Sequence, residues 1–414
     1  ADLAEEHRDT MCMGRTHGQD AIPTTFGFKV AGYASEVMRH LERVEECRKR
    51  VCVGKLSGAI GTAAALGPKA MQVQKYMMKD LGLGYEEAAT QVVCRDRYTE
   101  LVCLMANICT SCERYATEVR NLQRTEISEV AEAFDAKNQV GSSTMAHKRN
   151  PIVSENICGL SRIVRGFITP TFENMVLWHE RDLTNSSAER FTLPHTMILT
   201  DDILVKMGSV FRGLRVNRDN MLRNIKAARG MIMAEPVMMA LTSVDLLLAR
   251  ALLAPEDAGR YALGAVAAKA AFWLPQAVGT VLYPRMADPA GHRGAVCSAV
   301  GVLLGIGAVV VAAAAIASPL VPVLVGADYQ PVAGYLWAFA ALGVTLSVLQ
   351  AFLLATIATD RTVEATIAWC GLVLTVAAVW FAPRDVVGVL AAALGVVVVT
   401  TVVAGWRALG TRTA

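Results

Sequence analysis

The chain has 414 residues, 40 Lys and Arg against 37 Asp and Glu, and a formal net charge of +3. Such a length buries a large core without covalent staples. So small a net charge, with no long basic run, argues against a nucleic-acid partner. The average hides a break, because only 17 of the charged residues lie between 243 and 414 and Lys269 is the one lysine after Lys226. Charge density falls there from about one residue in four to about one in ten, out of the range of an ordinary soluble domain.

Eight of the ten cysteines lie in the charged part, scattered among helical patterns. That usage fits a reducing cytosol rather than a disulfide framework. Cys109 and Cys112 form a single C-x-x-C with no second pair or His at ligand spacing, so neither a metal nor a redox centre is expected. The chain opens Ala-Asp-Leu-Ala within an acidic helical stretch and reads as a piece of something longer.

In chain order, Val30, Tyr33, Val37, Leu41 and Val44 recur every three or four residues after Phe26, which predicts a long amphipathic helix. The stretch from Gly54 to Gly67 lacks phosphate-loop spacing and reads as a helix connection. From about 98 to 130, Leu101, Met105, Ile108, Cys112, Tyr115, Val119 and Leu122 keep a spacing near 3.5 residues, predicting a second long helix with a narrow seam. Pro151 stands where a helix would start, and Val153, Ile157, Leu160 and Val164 continue it until Pro170 ends or kinks it. A fourth helical pattern covers about 191 to 212. No alternating run argues for a sheet, so this part is expected to be all-α, a bundle of long helices shared between chains. After about 243, apolar runs at 259–283, 295–317, 332–358, 363–382 and 386–406 predict a polytopic membrane segment of about five spans.

Three polar strings interrupt the helical patterns. Gly14-Arg15-Thr16-His17-Gly18-Gln19-Asp20 presents an imidazole, suited to proton transfer near neutral pH, from a tight backbone; a plain loop histidine is the alternative. Gly141-Ser142-Ser143-Thr144-Met145-Ala146-His147-Lys148-Arg149-Asn150-Pro151 sets Lys and Asn ahead of a helix start, where free N–H groups and the dipole favour an anion. A surface loop with a helix cap is its alternative. Glu180-Arg181-Asp182-Leu183-Thr184-Asn185-Ser186-Ser187-Ala188-Glu189-Arg190 offers Arg181, Ser186 and Arg190 as a phosphate clamp, or else a solvated charged face.

Together these strings resemble the fumarase and aspartase superfamily and, within it, the adenylosuccinate lyases, over about residues 1–241. The resemblance implies β-elimination of fumarate from adenylosuccinate, and from the succinyl-carboxamide ribotide of purine biosynthesis, in a cytoplasmic homotetramer without a cofactor. It assigns the base to Ser142 and the acid to His17. Lys148, Asn150 and Ser143 hold substrate with help from Thr16, Glu155 orients the histidines, and Arg181, Ser186 and Arg190 take the phosphate. Cys94 stands where such lyases have a substrate-contacting Gln, and Ala146 replaces their usual Pro. The N-terminal and C-terminal domains of such lyases are missing, so little or no turnover is expected of this chain by itself.

Residues 243–414, with Val244-Asp245-Leu246-Leu247-Leu248-Ala249-Arg250, Arg260-Tyr261 and Leu282-Tyr283-Pro284-Arg285, resemble the later half of lipid-linked oligosaccharide flippases. This implies membrane lipid as a partner, with Arg250, Arg260 and Lys269 facing an anionic carrier or snorkelling to the interface. A membrane transporter fragment is therefore the alternative function. The two resemblances meet near Leu241 without a linker, as expected of a chimera of two fragments.

Overall fold

The computed structural model describes residues 1–133, 148–228, 233–274, 286, 292–358 and 366–410. They group into two compact units, Ala1–Gly14 with Pro23–Ile225 and Arg15–Ile22 with Lys226–Ala414.

In the first unit the predicted helices appear as α2 (Phe26–Val51), α4 (Asp96–Leu122), α5 (Ile152–Gly166) and α7 (Thr184–Gly213), joined by the shorter α1 (Asp2–Glu6), α3 (Ala70–Asp80), α6 (Ile168–Glu173) and α8 (Arg218–Ala227). Helix α4 is the centre. Its residues Ala106, Cys109, Cys112, Tyr115, Ala116, Val119 and Leu122 share one buried cluster with Val30 of α2, Ile157 and Cys158 of α5, and Ile203, Met207 and Val210 of α7. Cys109 and Cys112 thus serve as packing groups, and burial pushes the Cys112 thiol up to about 12. Helix α4 ends at Leu122, eight residues before the predicted limit, and Ser128, with a left-handed backbone (φ 49°), follows in the turn that leads into a short strand.

The all-α expectation needs correction at one functional point. Met11–Thr16 (β1) and Gln19–Thr25 (β2) form a hairpin. Cys12 and Met13 are both buried, so β1 has no period-two alternation for sequence reading to catch. The turn itself sets the geometry: His17 (φ 54°) and Gly18 (φ 73°) are both left-handed, the combination that a two-residue hairpin turn requires. Two further pairings are two residues long, Val53–Gly54 with Gly84–Tyr85 and Val130–Ala131 with Arg215–Val216.

A buried hydrogen-bond chain ties α2 to α4. Ser111 Oγ donates its one proton to Glu36 Oε1 at 2.6 Å and therefore accepts from His40 Nε2 at 2.9 Å. Arg43 Nη1, 3.4 Å from His40 Nδ1, faces the unprotonated nitrogen. Burial, then Arg43, hold the His40 pKa below its ordinary 6.5 against the opposing pull of Glu36. The unfolded chain thus takes up a proton that the folded chain refuses, and stability that is complete above pH 6.5 falls as pH drops below it. Melting of the full chain between pH 7 and 5 is expected to fall less steeply for His40→Gln than for the unsubstituted chain; equal slopes contradict the assignment.

The second unit contains α9 (Ala234–Leu241), α10 (Val244–Leu252), α11 (Pro255–Trp273), α12 (His292–Ala317), α13 (Val321–Val325), α14 (Gln330–Ala333), α15 (Leu336–Ala358), α16 (Thr366–Phe381) and α17 (Val386–Leu409). Among the described residues, three stretches are long and apolar enough to cross a membrane: His292–Val325, Leu336–Ala358 and Val386–Leu409. The described part of helix α16 is apolar and 16 residues long, and the expected span at 363–382 begins outside the described residues. The expected span at 259–283 runs partly outside the described residues. Arg260 binds Asp257 at 2.8 Å and the Asp328 carbonyl at 3.0 Å. Buried Tyr261 donates to buried Asp245 at 2.8 Å, joining α10 to α11.

Close approach of small residues fastens these helices. A Cβ on Gly343 would lie 2.0 Å from the Ala268 carbonyl oxygen, a backbone atom that cannot step aside. Gly343→Leu is expected to lower thermal stability in detergent by about 1–3 kcal/mol. Gly259→Ala, where nothing stands within 4 Å, is expected to leave it unchanged or slightly raised.

Candidate active site

The first polar string sits at the tip of the β1–β2 hairpin. Thr16 ends β1, and His17 occupies the turn with its ring exposed. Arg15 pairs with Asp20 across the turn at 3.2 Å. A left-handed backbone is uncommon for a residue with a side chain, though His tolerates it better than bulky residues. The turn therefore holds the imidazole clear of the strands.

The second string is only partly visible, since Ser142 and Ser143 lie outside the described residues. Lys148 and Arg149 are exposed and Asn150 half-buried in the extended stretch before Pro151, the N-cap of α5. Gln123, just past α4, donates to the Arg149 carbonyl at 3.1 Å and fixes this stretch at the C-terminal end of α4. The α5 start differs from expectation. Its free N–H groups already have an anion, because Val153 N and Ser154 N donate to the buried Glu132 carboxylate at 3.2 and 2.7 Å, and Ser154 Oγ also donates to it. The dipole there is satisfied by the chain itself. Glu155 lies in the first turn and is exposed.

The third string makes the turn into α7. Asp182 accepts from Trp178 N at 2.5 Å, Thr184 N at 2.8 Å and Thr184 Oγ1 at 2.5 Å. These bonds, led by the one from the Thr184 hydroxyl, hold its carboxyl below the usual carboxylate range. Arg181 and Ser186 are half-buried and Arg190 is exposed. Cys94, also exposed, is brought to the same place by two links. Gln91 N donates to the Glu180 carbonyl at 3.2 Å, and Arg95 Nε lies 2.9 Å from Glu189 Oε1 with both side chains largely buried. Arg95, Glu189 and the fully buried Asn185 are absent from the sequence-based candidates. Only the four-residue spacing of Asn185 and Glu189 hinted at a shared helix face, and the partner of Glu189 is some 90 positions away.

Which residues come together follows from the helix directions. Helix α5 runs antiparallel to α4: Arg149 meets Gln123, Ser161 Oγ donates to the Cys109 carbonyl at 3.0 Å, and Arg165 reaches Thr110 at 3.1 Å. Helix α7 runs parallel to α4, with Glu189 at Arg95 and Thr200 3.4 Å from Cys109. Lys148, Asn150 and Glu155 therefore gather at the C-terminal end of α4, and Cys94, Arg181, Ser186 and Arg190 at its N-terminal end. Helix α4 has 27 residues, about 40 Å at 1.5 Å per residue. One copy of the chain cannot apply both groups to one small molecule.

Known proteins bear on this geometry. Residues 1–166 match the model of a lyase family. Adenylosuccinate lyase of Pyrococcus abyssi is 49% identical over 240 residues, 58% of this chain and 53% of that protein. The adenylosuccinate lyase of Methanothermobacter thermautotrophicus is 50% identical over 240 residues, 58% of this chain and 54% of that protein. Among solved structures, a fumarate lyase from Mesorhizobium sp. BNC1 aligns with a TM-score of 0.52 at 36% identity, over 58% of this chain and 53% of that one. Beta-carboxy-cis,cis-muconate cycloisomerase from Acinetobacter calcoaceticus aligns with the same TM-score at 33% identity, over 58% of this chain and 52% of that one. The chain thus spans about half the length of the curated relatives it matches, and over that half it is similar to adenylosuccinate lyases.

Proposed function

We propose that residues 1 to about 241 perform the carbon–nitrogen bond cleavage of an adenylosuccinate lyase, releasing fumarate from adenylosuccinate and from the succinyl-carboxamide ribotide. The observation that carries this reading is the 49% identity over 240 residues to the Pyrococcus abyssi enzyme. In this reading Ser142 removes a proton from the carbon beside a succinyl carboxylate. The C–N bond then breaks, its electron pair leaves on nitrogen, and His17 protonates that nitrogen. Lys148 and Asn150, with Ser143, hold the carboxylate as charge builds on it, Thr16 assists, and Glu155 orients the histidines. Arg181, Ser186 and Arg190, beside Cys94, bind the phosphate. Because about 40 Å of α4 separates the carboxylate-holding group from the phosphate clamp, each working site draws them from different copies, and the functional form is a homo-oligomer.

A second reading applies to residues 243–414 and is favoured by the three stretches of membrane-spanning length and composition. They embed in a bilayer as a flippase-like segment, while the lyase part faces the cytoplasm. Extraction of the full chain from membranes is then expected to need detergent, and recovery in a detergent-free soluble fraction contradicts this reading.

For the lyase, the missing domains argue for little or no turnover, whereas the proposal requires the full chain to release fumarate from adenylosuccinate faster than the uncatalysed reaction does. Lys148→Ala is expected to cut that rate at least 100-fold, the size of effect seen when an oxyanion donor is lost. No fumarate from the unsubstituted chain contradicts the proposal.

A further inference from the structure

The start of α7 holds more buried, unpartnered polarity than its fold requires. Asn185 is 1% exposed, yet neither its Oδ1 nor its Nδ2 has a hydrogen-bond partner among the described residues. Arg181 Nε and Nη1 are also buried and have no partner among the described residues. Arg95 Nε and Glu189 Oε1 lie 2.9 Å apart, an ion pair by distance, but their alignment forms no hydrogen bond. Buried polar groups left in this state destabilise a fold, and an apolar side chain of the same shape removes the cost. The contrast with the start of α5 is direct, since there Glu132 takes up the available donors.

The unpartnered donors name the class of missing partner. Arg95, Arg181 and Arg190 stand in this stretch with the carboxylates Glu180, Asp182 and Glu189, of which Glu189 lies against Arg95 and Asp182 already accepts three hydrogen bonds within its own turn. The N-terminus of a 30-residue helix adds partial positive charge. What is lacking is an anion with several acceptor oxygens.

We propose that Asn185 is a further phosphate-contacting residue of this site, donating through Nδ2, and that the Arg95–Glu189 pair is its positioning element. Asn185 lies on the same face of α7 as Glu189, one turn earlier, and Arg181 lies four residues before Asn185 in the turn that Asp182 fixes. Glu189 keeps Arg95 beside the start of α7 in the absence of ligand, and the misaligned contact leaves the Arg95 Nε–H available to a phosphate oxygen. The inference rests on the reading of Arg181, Ser186 and Arg190 as a phosphate clamp and extends it to a residue inside the helix.

The test is calorimetric titration of the full chain in detergent with inorganic phosphate, and separately with succinate, alongside thermal melting without ligand. Asn185→Leu is expected to weaken phosphate binding at least tenfold while leaving the ligand-free melting temperature unchanged or raised. A merely structural amide would behave oppositely, since losing an internal partner lowers melting. A smaller loss of phosphate affinity, a lowered melting temperature, or binding of succinate but not phosphate overturns the proposal. If the unsubstituted chain binds phosphate but releases no fumarate, the lyase reading fails and this one stands. If it releases fumarate but binds no phosphate, this proposal fails and the lyase reading stands.

Discussion

Burial of the apolar seam of α4 is the constraint from which the first unit follows. Ala106 to Leu122 are covered by α2, α5 and α7 at once, and each partner helix has its register set by that contact. Burial of one large apolar side chain is worth about 1.5–3 kcal/mol, so a slip of α5 or α7 along α4 would forfeit several such contributions together. The polar strings at the helix ends are therefore held at fixed heights along α4. This mounts them precisely enough for chemistry, and it keeps the Lys148 end and the Arg181 end apart within one copy.

The starts of α5 and α7 solve the same electrostatic problem differently. Both α5 and α7 present free N–H groups and a partial positive charge. At α5 the chain supplies Glu132, which orders the Lys148–Asn150 stretch without drawing a ligand to the helix axis. At α7, Asp182 shapes the turn, but Arg181 and Asn185 keep unspent donors. The first arrangement fits a loop that has to be held in place, and the second fits a cradle for an anion that arrives from outside.

The sequence made the periodic features legible and hid the long-range ones. Helices α2, α4, α5 and α7 and the long apolar helices of the second unit announce themselves through spacing and run length, because removal of apolar side chains from water acts residue by residue. The His17 hairpin was hidden because a turn carried by His-Gly, with two adjacent buried residues before it, satisfies no periodic rule. The three site strings were recognisable as polar interruptions. The distribution of the second and third over opposite ends of α4 was not, since it depends on the directions of α5 and α7. Glu132, Arg95 and Asn185 owe their roles to partners far along the chain or to the lack of one, which no local pattern records.

The central claim is that carboxylate-holding and phosphate-holding residues reach one substrate only from different copies of the chain. Complementation measures this directly. Lys148→Ala and Arg181→Ala chains, each inactive alone, are unfolded together, refolded as a mixture and assayed for fumarate. The account predicts that the mixture regains a substantial fraction of the unsubstituted rate, because hybrid oligomers contain sites in which both residues are intact. A mixture as inactive as its components, in hybrids shown to have formed, would place the whole site within one chain and contradict the account.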